Sequence, residues 1–406
     1  MTLFGLPEGE LRAPCRALRG HDVDREEGVA TFARASWSGI AEPGDRIAGA
    51  LVEALGAELA LTALVESWDA PRIAAAVDAL SVDEVEKALQ RWMPRLKPPA
   101  ALLSLRQGAR IGARLLVPGD PLWPAGLDDL GHHAPLALWV RGSDAALAAL
   151  SRSIALVGAR AATGYGEHVT MEASAGLADR GFAIVSGAAY GIDGMAHRAA
   201  LASAGVTVAF LAGGVDRFYP SGHDALLTRM VKEGAVLTEL PPGAQPSKWR
   251  FLQRNRLIAA ASQATVVLEA GWRSGSLNTA GHAAALGRPL GAVPGPVTSP
   301  ASAGCHRLIR DFDAVCVTTA AEMAELVPGA VGGSGEVPGV QSEAGLDRAS
   351  DPRSIRVLDA LSRRSPRTAE DVASRAGLSP GETQAQLGLL AFDGVVEERE
   401  RGWVRT

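Results

Sequence analysis

A glycine-rich segment at residues 157–166 combines backbone, cationic and hydroxyl groups that suit a phosphate. Its glycines let backbone N–H groups approach a ligand closely, and a helix beginning beside it would add the positive end of its dipole. The spacing is neither G-x-G-x-x-G nor G-x-x-x-x-G-K-[ST], so neither a dinucleotide fingerprint nor a P-loop is predicted. We predict that this segment binds a phosphate-bearing ligand; the plain alternative is a glycine-rich turn with a solvated arginine. The predicted phosphate donors and the stacking ring are Gly158, Arg160, Thr163, Tyr165 and Gly166.

Two other segments repeat this combination of glycines and hydroxyl groups after an apolar run. The first, at residues 185–193, would present backbone amides, and the second, at 269–279, would offer serine and threonine hydroxyls to an anion. A G-x-S-x-G elbow is absent from the sequence, so no hydrolase serine and no catalytic residue is predicted. The candidate binding residues in the two segments are Ser186, Gly187, Gly191, Ser274, Gly275, Ser276 and Thr279.

Arginines and an aromatic ring add to these segments. Tyr219 follows a third glycine-containing turn, and its ring could stack on a base. Arg254 and Arg256 lie on either side of Asn255 at the predicted start of a helix, a pattern that suits backbone phosphates and a base edge. The alternative is that both arginines are simply solvated. Together the segments predict a groove that follows a chain of phosphates.

A metal site is not predicted. Asp193 is expected to cap the following helix. His197 lies four residues later on the same helix face, so the two could form a pair of metal ligands, but no third ligand has a suitable spacing. Three cysteines without C-x-x-C spacing indicate neither a zinc cage nor a disulfide framework. No metal and no cofactor is therefore expected.

Short apolar runs alternate with amphipathic stretches between residues 102 and 326. Unbroken apolar strands that alternate with helices predict an α/β fold built on a parallel sheet covered on both faces. Ligands of such sheets bind beyond the carboxyl ends of the strands, where all the candidate segments lie. The predicted strands are Leu115–Val117, Leu136–Val140, Ser153–Val157, Ala183–Ser186, Thr207–Leu211, Ala235–Thr238, Thr265–Leu268 and Leu290–Val293.

The pattern divides the chain into four parts. Residues 1–100 form a predicted helical domain, with apolar positions at helical spacing between 46 and 97. The sheet domain occupies 102–326, and the segment 327–351, rich in Gly, Pro, Ser and Glu, is a predicted flexible linker. Residues 352–406 read as three helices and a hairpin, the winged-helix arrangement.

Composition describes a globular protein. The 406 residues are 47 % hydrophobic and 21 % charged, and the net charge of −5 by itself argues against nucleic acid as a partner. No run of eighteen apolar residues occurs, and no basic segment precedes an apolar one at the N-terminus. We therefore expect a cytoplasmic protein without a membrane partner.

The candidate segments, in this order, resemble the DprA (Smf) family of DNA-processing proteins. The resemblance rests on G-A-R-x-x-T-x-Y-G, S-G-x-A-x-G-I-D-x-x-A-H, D-x-x-Y-P, R-N-R-L-I-A and E-A-x-x-x-S-G-S-L-x-T-A, and on V-P-G and G-C-H-R-L-I near residues 293–309. It implies an extended Rossmann-like domain, an N-terminal helical (SAM-like) domain and a C-terminal winged helix. It also implies a non-catalytic function: binding single-stranded DNA, protecting it and loading the recombinase RecA during natural transformation, as a homodimer formed through the Rossmann-like domain. By position, Arg160 would be a principal phosphate ligand, and Arg254 and Arg256 would belong to a basic rim.

The sequence departs from the family pattern after Tyr219-Pro220, where Ser221-Gly222-His223 replace a frequent basic residue and Asn. His223 could restore a positive charge on the rim when protonated. Two other functions stay open: a nucleotide-binding sensor that signals through the winged helix, and a nucleoside monophosphate hydrolase of the lysine-decarboxylase-like (LOG) group. The P-G-G-x-G-T loop of that group is missing here, since Ala212-Gly-Gly-Val-Asp lacks the Pro and the Gly-Thr.

Overall fold

The computed structural model describes residues 2–3 and 6–329, and towards the C-terminus 354, 357–358, 360–363, 365–376, 378, 380–392, 394–399 and 402–406. The chain divides into two compact units, Met1–Gly332 and Gly333–Thr406. The predicted linker 327–351 lies outside the described residues from 330 onward, and the predicted helix Ser354–Ser362 is described only in part. The predicted boundary near residue 100, between the helical domain and the sheet domain, stays a prediction.

A nine-stranded sheet forms the centre of the first unit. Its strand order is β11-β10-β9-β5-β6-β7-β8-β4-β3. The seven strands from β11 to β8 pair in parallel, and β4 and β3 add an antiparallel edge. The strands are β3 (Arg114–Leu116), β4 (Leu138–Gly142), β5 (Ser153–Gly158), β6 (Ala183–Ser186), β7 (Thr207–Phe210), β8 (Ala235–Thr238), β9 (Ala264–Glu269), β10 (Leu290–Ala292) and β11 (Val315–Cys316). A two-residue hairpin, β1 (Thr2–Leu3) with β2 (Leu6–Pro7), precedes the sheet in the chain.

This sheet confirms the predicted α/β class, and all eight predicted strands are present. The prediction of a parallel sheet is corrected at one edge, where β3 and β4 are antiparallel. The strands from β5 to β8 follow one another in one direction across the sheet, whereas β9, β10 and β11 extend it in the other. The order therefore switches between β5 and β9. Such a switch opens a crevice at the carboxyl ends of the two strands, where ligands of open α/β sheets bind.

Six helices precede the sheet in the chain, and eight more follow or connect its strands. The first six are α1 (Glu8–Arg19), α2 (Arg25–Ile40), α3 (Arg46–Val65), α4 (Ala70–Ala76), α5 (Val82–Trp92) and α6 (Pro98–Arg110). The next eight are α7 (Asp144–Ala148), α8 (Gly164–Asp179), α9 (Ile192–Ala202), α10 (Asp224–Glu233), α11 (Lys248–Ala261), α12 (Ser276–Ala285), α13 (Ala303–Asp311) and α14 (Ala320–Glu325). Short 3₁₀ segments lie at Met93–Arg95, Ala125–His133, Ala149–Arg152 and Ser221–His223.

Side-chain caps explain where several of the first helices begin. Asp24, Asp45 and Asp69 each accept a hydrogen bond from a backbone N–H in the first turn of α2, α3 and α4. Helix α3 is long and apolar enough to cross a membrane by length and composition, but most of its apolar window is buried inside the protein. It packs as a core helix, bent at Gly56, whose φ of 78° is left-handed.

The first six helices share a core with one part of the sheet. A single cluster of buried apolar side chains includes Trp37 and Trp92 from the helices together with Trp139 and Val236 from the strands. The Trp139 indole N–H donates to Ser38 Oγ at 3.1 Å. The Trp37 and Trp92 rings meet edge to face at 5.3 Å. The helical segment is thus packed onto the sheet rather than tethered to it.

The second unit contains helices α15 (Ala369–Ala376) and α16 (Pro380–Phe392) and a hairpin of β12 (Val396–Arg399) with β13 (Gly402–Arg405). Thr368 Oγ1 accepts a hydrogen bond from the Asp371 N–H at 3.3 Å, which caps the start of α15. Trp403 packs against the small core of this unit, so it is a structural residue here.

Candidate nucleic-acid interface

A cavity of about 510 Å³ lies at the carboxyl ends of β5 and β9. We call this cavity the crevice. Its walls come from residues 157–161 at the end of β5, from Ala189 and Asp193 after β6, from helix α11 and from residues 300–301. The segment after β9 contributes residue 271, residues 273–276 and residue 279. Eight of the sequence-predicted residues line it: Gly158, Arg160, Arg254, Asn255, Ser274, Gly275, Ser276 and Thr279. The structure therefore brings together groups from segments more than 100 residues apart.

Arg254 is a buried cation at the wall of the crevice. Only 4 % of the residue is exposed, and its Nη1 donates to the carbonyls of Gly187, at 2.6 Å, and Phe210. Burial lowers the pKa of Arg254 to about 10, with Asp193 acting in the opposite direction. Burial also raises the pKa of Asp193, and the nearby Arg254 charge opposes that rise. Arg254 stays charged at neutral pH, and Asp193, which lines the same wall, is its nearby acidic group.

Arg160 lies at the surface of the same crevice with its guanidinium over an aromatic ring. Its Cζ is 4.8 Å from the centre of the Phe251 ring, and the Arg254 Cζ is 5.7 Å from that centre. Tyr219, half exposed, tilts against Phe251 at 5.6 Å. Within the described part of the chain Arg160 forms no ion pair, so its charge is available to a phosphate. The arrangement offers a cation beside faces on which a base can stack.

The N-terminus of α12 lies at the crevice, which Gly275, Ser276 and Thr279 line. Gly275 lies directly before the helix, and Ser274 Oγ and Ser276 Oγ are 2.8 Å apart. The Asn255 side-chain amide donates to the Gly275 carbonyl at 3.4 Å and to Asn278 Oδ1 at 3.2 Å, which braces the turn. An anion here would meet the positive end of a ten-residue helix as well as the hydroxyls.

The N-terminus of α8, in contrast, already holds an anion of the chain's own. The Glu269 carboxylate, 2 % exposed, accepts from the Thr163 N–H at 2.8 Å and from Thr163 Oγ1 at 2.6 Å. A β-carbon on Gly166 would stand 2.3 Å from Glu269 Oε2. The expectation of a ligand phosphate at this helix is thus corrected: Thr163 binds the Glu269 carboxylate, and Gly166 leaves room for it. Tyr165 is 40 % exposed, and its hydroxyl donates to the Pro294 carbonyl.

The predicted residues after β6 support the crevice from behind. Ser186 is fully buried and its hydroxyl donates to the Leu156 carbonyl at 2.6 Å, so it joins β6 to β5 instead of offering a hydroxyl to a ligand. Gly187 makes room for Arg254. Gly191 has a φ of 75°, and a β-carbon there would stand 2.2 Å from the Ala159 carbonyl oxygen. These residues position the first segment rather than line the crevice.

Arg256 does not belong to a basic rim. Its side chain is 4 % exposed, and its two terminal nitrogens donate to the Glu239 carboxylate at 2.6 and 2.7 Å. Its Nε donates to the His133 carbonyl at 3.0 Å. Because Asn255 lies between them on one helix, Arg254 and Arg256 point to different environments, and only Arg254 reaches the crevice.

The histidines in this region are buried as well. His223 is 3 % exposed, with Nδ1 3.0 Å from the Ala188 carbonyl, so it does not supply a charge at the surface. His197 is fully buried and burial lowers its pKa to about 3. Asp193 lies inside α9 rather than at its cap, which is Gly191. Among the residues that the structure describes, no three potential metal ligands cluster.

Sequence reasoning missed several contributors to the site. Arg273 is exposed and lines the crevice as a third cation beside Arg160 and Arg254. It lies between Gly271 and Gly275, in the segment that was predicted to bind an anion through its hydroxyls. Its position in the sequence could therefore have identified it as a binding residue. Phe251, the ring under Arg160, and Glu269, the anion at α8, carry no such signal in their spacing.

Comparisons with known proteins show which family the chain resembles. The family described as DNA recombination-mediator protein A matches residues 114–328, and the DprA winged helix domain matches 341–400, which confirms the predicted winged helix. A Mycobacterium tuberculosis protein that carries the name DNA processing protein DprA is 48 % identical over 306 residues, 72 % of this chain and 77 % of that protein. The DNA processing protein DprA of Bacillus subtilis is 32 % identical over 251 residues, 62 % of this chain and 82 % of its own. The solved structure of DprA from Streptococcus pneumoniae gives a TM-score of 0.58 at 30 % identity, covering 72 % of this chain and 96 % of that one.

Proposed function

Because the chain belongs to the DNA recombination-mediator protein A family, we propose that it binds single-stranded DNA in the crevice and acts as a recombination mediator. The observation that carries the proposal is the position of Arg160. This arginine is exposed, forms no ion pair with any described residue, and lies over Phe251 next to the buried cation Arg254. A phosphate on Arg160 would leave its base beside an aromatic face.

The size and chemistry of the crevice favour a single strand over a duplex. A volume of about 510 Å³ admits flexible nucleotides but not the width of a double helix. Base faces are available for stacking only where bases are unpaired, and the ring of Tyr219 is half exposed beside Phe251. Three arginines within one crevice also offset the overall charge of −5 locally.

The proposal extends to the steps that follow binding. We propose that the protein protects incoming single strands and loads RecA on them during natural transformation. We also propose that it acts in the cytoplasm as a homodimer formed through the Rossmann-like domain, without catalysing a reaction. Family membership supports these roles, since a recombination mediator hands its strand to a recombinase.

Fluorescence-anisotropy titration at one salt concentration tests the proposal. The probes are oligo-dT, a duplex of the same length and a panel of free nucleoside mono- and diphosphates. We expect the single strand to bind at least about tenfold more tightly than the duplex, a difference of about 1.4 kcal/mol. Nucleotide binding without oligonucleotide binding would support a nucleotide sensor instead, and release of a free base from a nucleoside monophosphate would support the hydrolase.

RecA loading needs its own measurement. RecA assembly is followed on single strands already covered by a single-strand-binding protein, with and without this chain. Faster assembly with the chain is the expected result. Tight oligonucleotide binding without any effect on RecA would overturn the loading step and leave DNA binding in place.

A further inference from the structure

Trp272 is an exposed aromatic side chain at the mouth of the crevice. Its neighbours in sequence, Gly271 and Arg273, both line the crevice, whereas Trp272 itself does not. The residue is 54 % exposed, although burying an indole is normally favourable. An exposed tryptophan next to a charged cavity is therefore a candidate contact for the part of a bound ligand that extends out of the cavity.

A cation lies against this indole. The Arg307 guanidinium carbon is 5.2 Å from the centre of the Trp272 ring and 5.4 Å from that of Phe312. Arg307 is also 3.8 Å from the Asp311 carboxylate, at the long end of ion-pair distances. The guanidinium holds the indole from one side, and the exposed fraction of the ring leaves room for a second flat group.

The chemistry of this pair fits an unpaired base with its phosphate. Bases stack on aromatic rings whatever their sequence, and a cation beside the ring strengthens attraction to the adjoining phosphate. A strand bound in a crevice of about 510 Å³ must continue past the mouth, because the crevice holds only a few nucleotides. The next nucleotide outside would pass the loop that carries Trp272.

We infer that Trp272, supported by Arg307, is a second base-stacking subsite, which binds a nucleotide of the strand outside the crevice. The inference rests on the proposed single-strand binding and adds to it the direction in which the strand leaves. The subsite recognises an unpaired base next to a phosphate, without preference for a particular base. Oligonucleotides that extend beyond the crevice should use it, and those that only fill the crevice should not.

The chain provides a matched control elsewhere in the first unit. In the helical segment, the Arg72 guanidinium carbon lies 3.6 Å from the centre of the Trp68 ring, so the same two residue types are paired there. Trp68 follows α3 and does not line the crevice. Trp68→Ala therefore removes an arginine-backed indole without removing the subsite.

The experiment measures oligo-dT affinity of the full chain for lengths from about 4 to about 16 nucleotides, the range typical of single-strand binders. The proteins are the wild type, Trp272→Ala, Trp272→Phe and Trp68→Ala. A second set of long oligonucleotides carries abasic sites outside the central nucleotides, which keeps the phosphates and removes the bases. Thermal unfolding and light scattering check the fold and the oligomeric state of each variant.

We expect Trp272→Ala to weaken binding of the longest base-bearing oligonucleotide at least about fivefold, the lower end of the effect of losing one base–aromatic stack. The shortest oligonucleotide and the abasic set should show less than about a twofold change. Trp272→Phe should retain most of the affinity. The folded fraction of Trp68→Ala, whose indole packs against the core of the helical segment, should retain all of it.

The possible failures are distinguishable. A wild type that binds no oligonucleotide overturns the proposed function and the subsite together. A wild type that binds well while Trp272→Ala binds equally well overturns the subsite alone. An equal loss on base-bearing and abasic strands, or a changed oligomeric state in Trp272→Ala, overturns stacking as the role of this residue.

Discussion

The guanidinium of Arg254 lies so close to Gly187 that a β-carbon on this glycine would stand 2.4 Å from its Cζ, Nη1 and Nη2 atoms. Real β-carbons essentially never approach other atoms this closely. The glycine thus admits the buried cation at the wall of the crevice, and its carbonyl accepts a hydrogen bond from that cation. Any side chain at position 187 must displace Arg254.

Gly187→Ala should therefore weaken single-strand binding at least about tenfold, about 1.4 kcal/mol, because the displaced Arg254 loses its position towards a phosphate. Gly164→Ala is the matched control, since a β-carbon there meets no atom within 4 Å. Oligonucleotide titration of both folded variants measures the effect. Unchanged affinity in Gly187→Ala would exclude Arg254 from the binding site.

Arg160→Ala should also weaken single-strand binding about tenfold, because one charge-assisted phosphate contact is lost. The slope of log affinity against log salt should flatten by about one contact. Arg152→Ala is the control: its guanidinium lies 4.4 Å over Phe182, but it precedes β5 at the opposite end of the strand. Equal losses in the two variants would indicate a general charge effect rather than a site at the crevice.

Arg256 should behave as a stability residue. Arg256→Met leaves the Glu239 carboxylate buried without its partner, which we expect to lower the free energy of unfolding by about 3–5 kcal/mol. Arg256→Met combined with Glu239→Leu should recover much of this loss, because both charges are then removed. Denaturant unfolding measures stability, and oligonucleotide affinity of the folded fraction should change less than about threefold. A tenfold loss of affinity in the doubly substituted protein would return Arg256 to the interface.

The strands of the sheet could be predicted from the sequence far better than the contacts that the candidate site residues make. Strands buried on both faces appear in the sequence as unbroken apolar runs. This is why eight strands could be predicted, and all eight are present. Strand β11 was missed: it has only two residues, both exposed, within the four-residue apolar run at 314–317. The predicted segments do meet at one edge of the sheet, as parallel topology requires.

Side-chain pairing depends on contacts that local spacing does not encode. Thr163 and Glu269 are 106 positions apart in sequence, and nothing near Thr163 indicates that a carboxylate occupies the helix end. Arg254 and Arg256 look alike in sequence. They differ in the structure because Arg256 pairs with Glu239, which directly follows β8, whereas Arg254 does not. Residue types thus identified the segments, and packing selected which residues in them face a ligand.

Stability should fall on acidification because of His197. Its pKa is lowered from 6.5 to about 3 by burial, so between these values the unfolded chain binds a proton that the folded chain does not. The free energy of unfolding is therefore not reduced by this group above about pH 6.5. It falls as the pH falls below that value, with a slope approaching ~1.4 kcal/mol per pH unit. Denaturant unfolding between pH 7 and pH 4.5, roughly the range of this titration, measures the slope. His197→Gln should flatten it by about one proton, while the exposed His168→Gln should leave it unchanged.

The C-terminal unit should contribute little to single-strand affinity. Helix α16, which a DNA-reading winged helix would place in the groove, contains no lysine or arginine between Pro380 and Phe392 and carries Glu382. A helix of this charge is not attracted to phosphates. Removing residues 340–406 should change oligo-dT affinity less than about threefold, ~0.7 kcal/mol. A loss beyond tenfold in a truncated protein that is still folded would place this unit in the DNA site.

The shared core of the first six helices and the sheet has a consequence for how the protein tolerates change. Trp37, Trp92 and Trp139 belong to one buried cluster, so loosening the helices removes contacts from the sheet as well. The two parts should melt in one cooperative transition rather than in two. A destabilising substitution in α2 or α3 would then lower the population of molecules with an intact crevice, although the altered residue touches no ligand. Loss of DNA binding caused by changes in the helical segment is thus expected to disappear at lower temperature, where the folded population recovers.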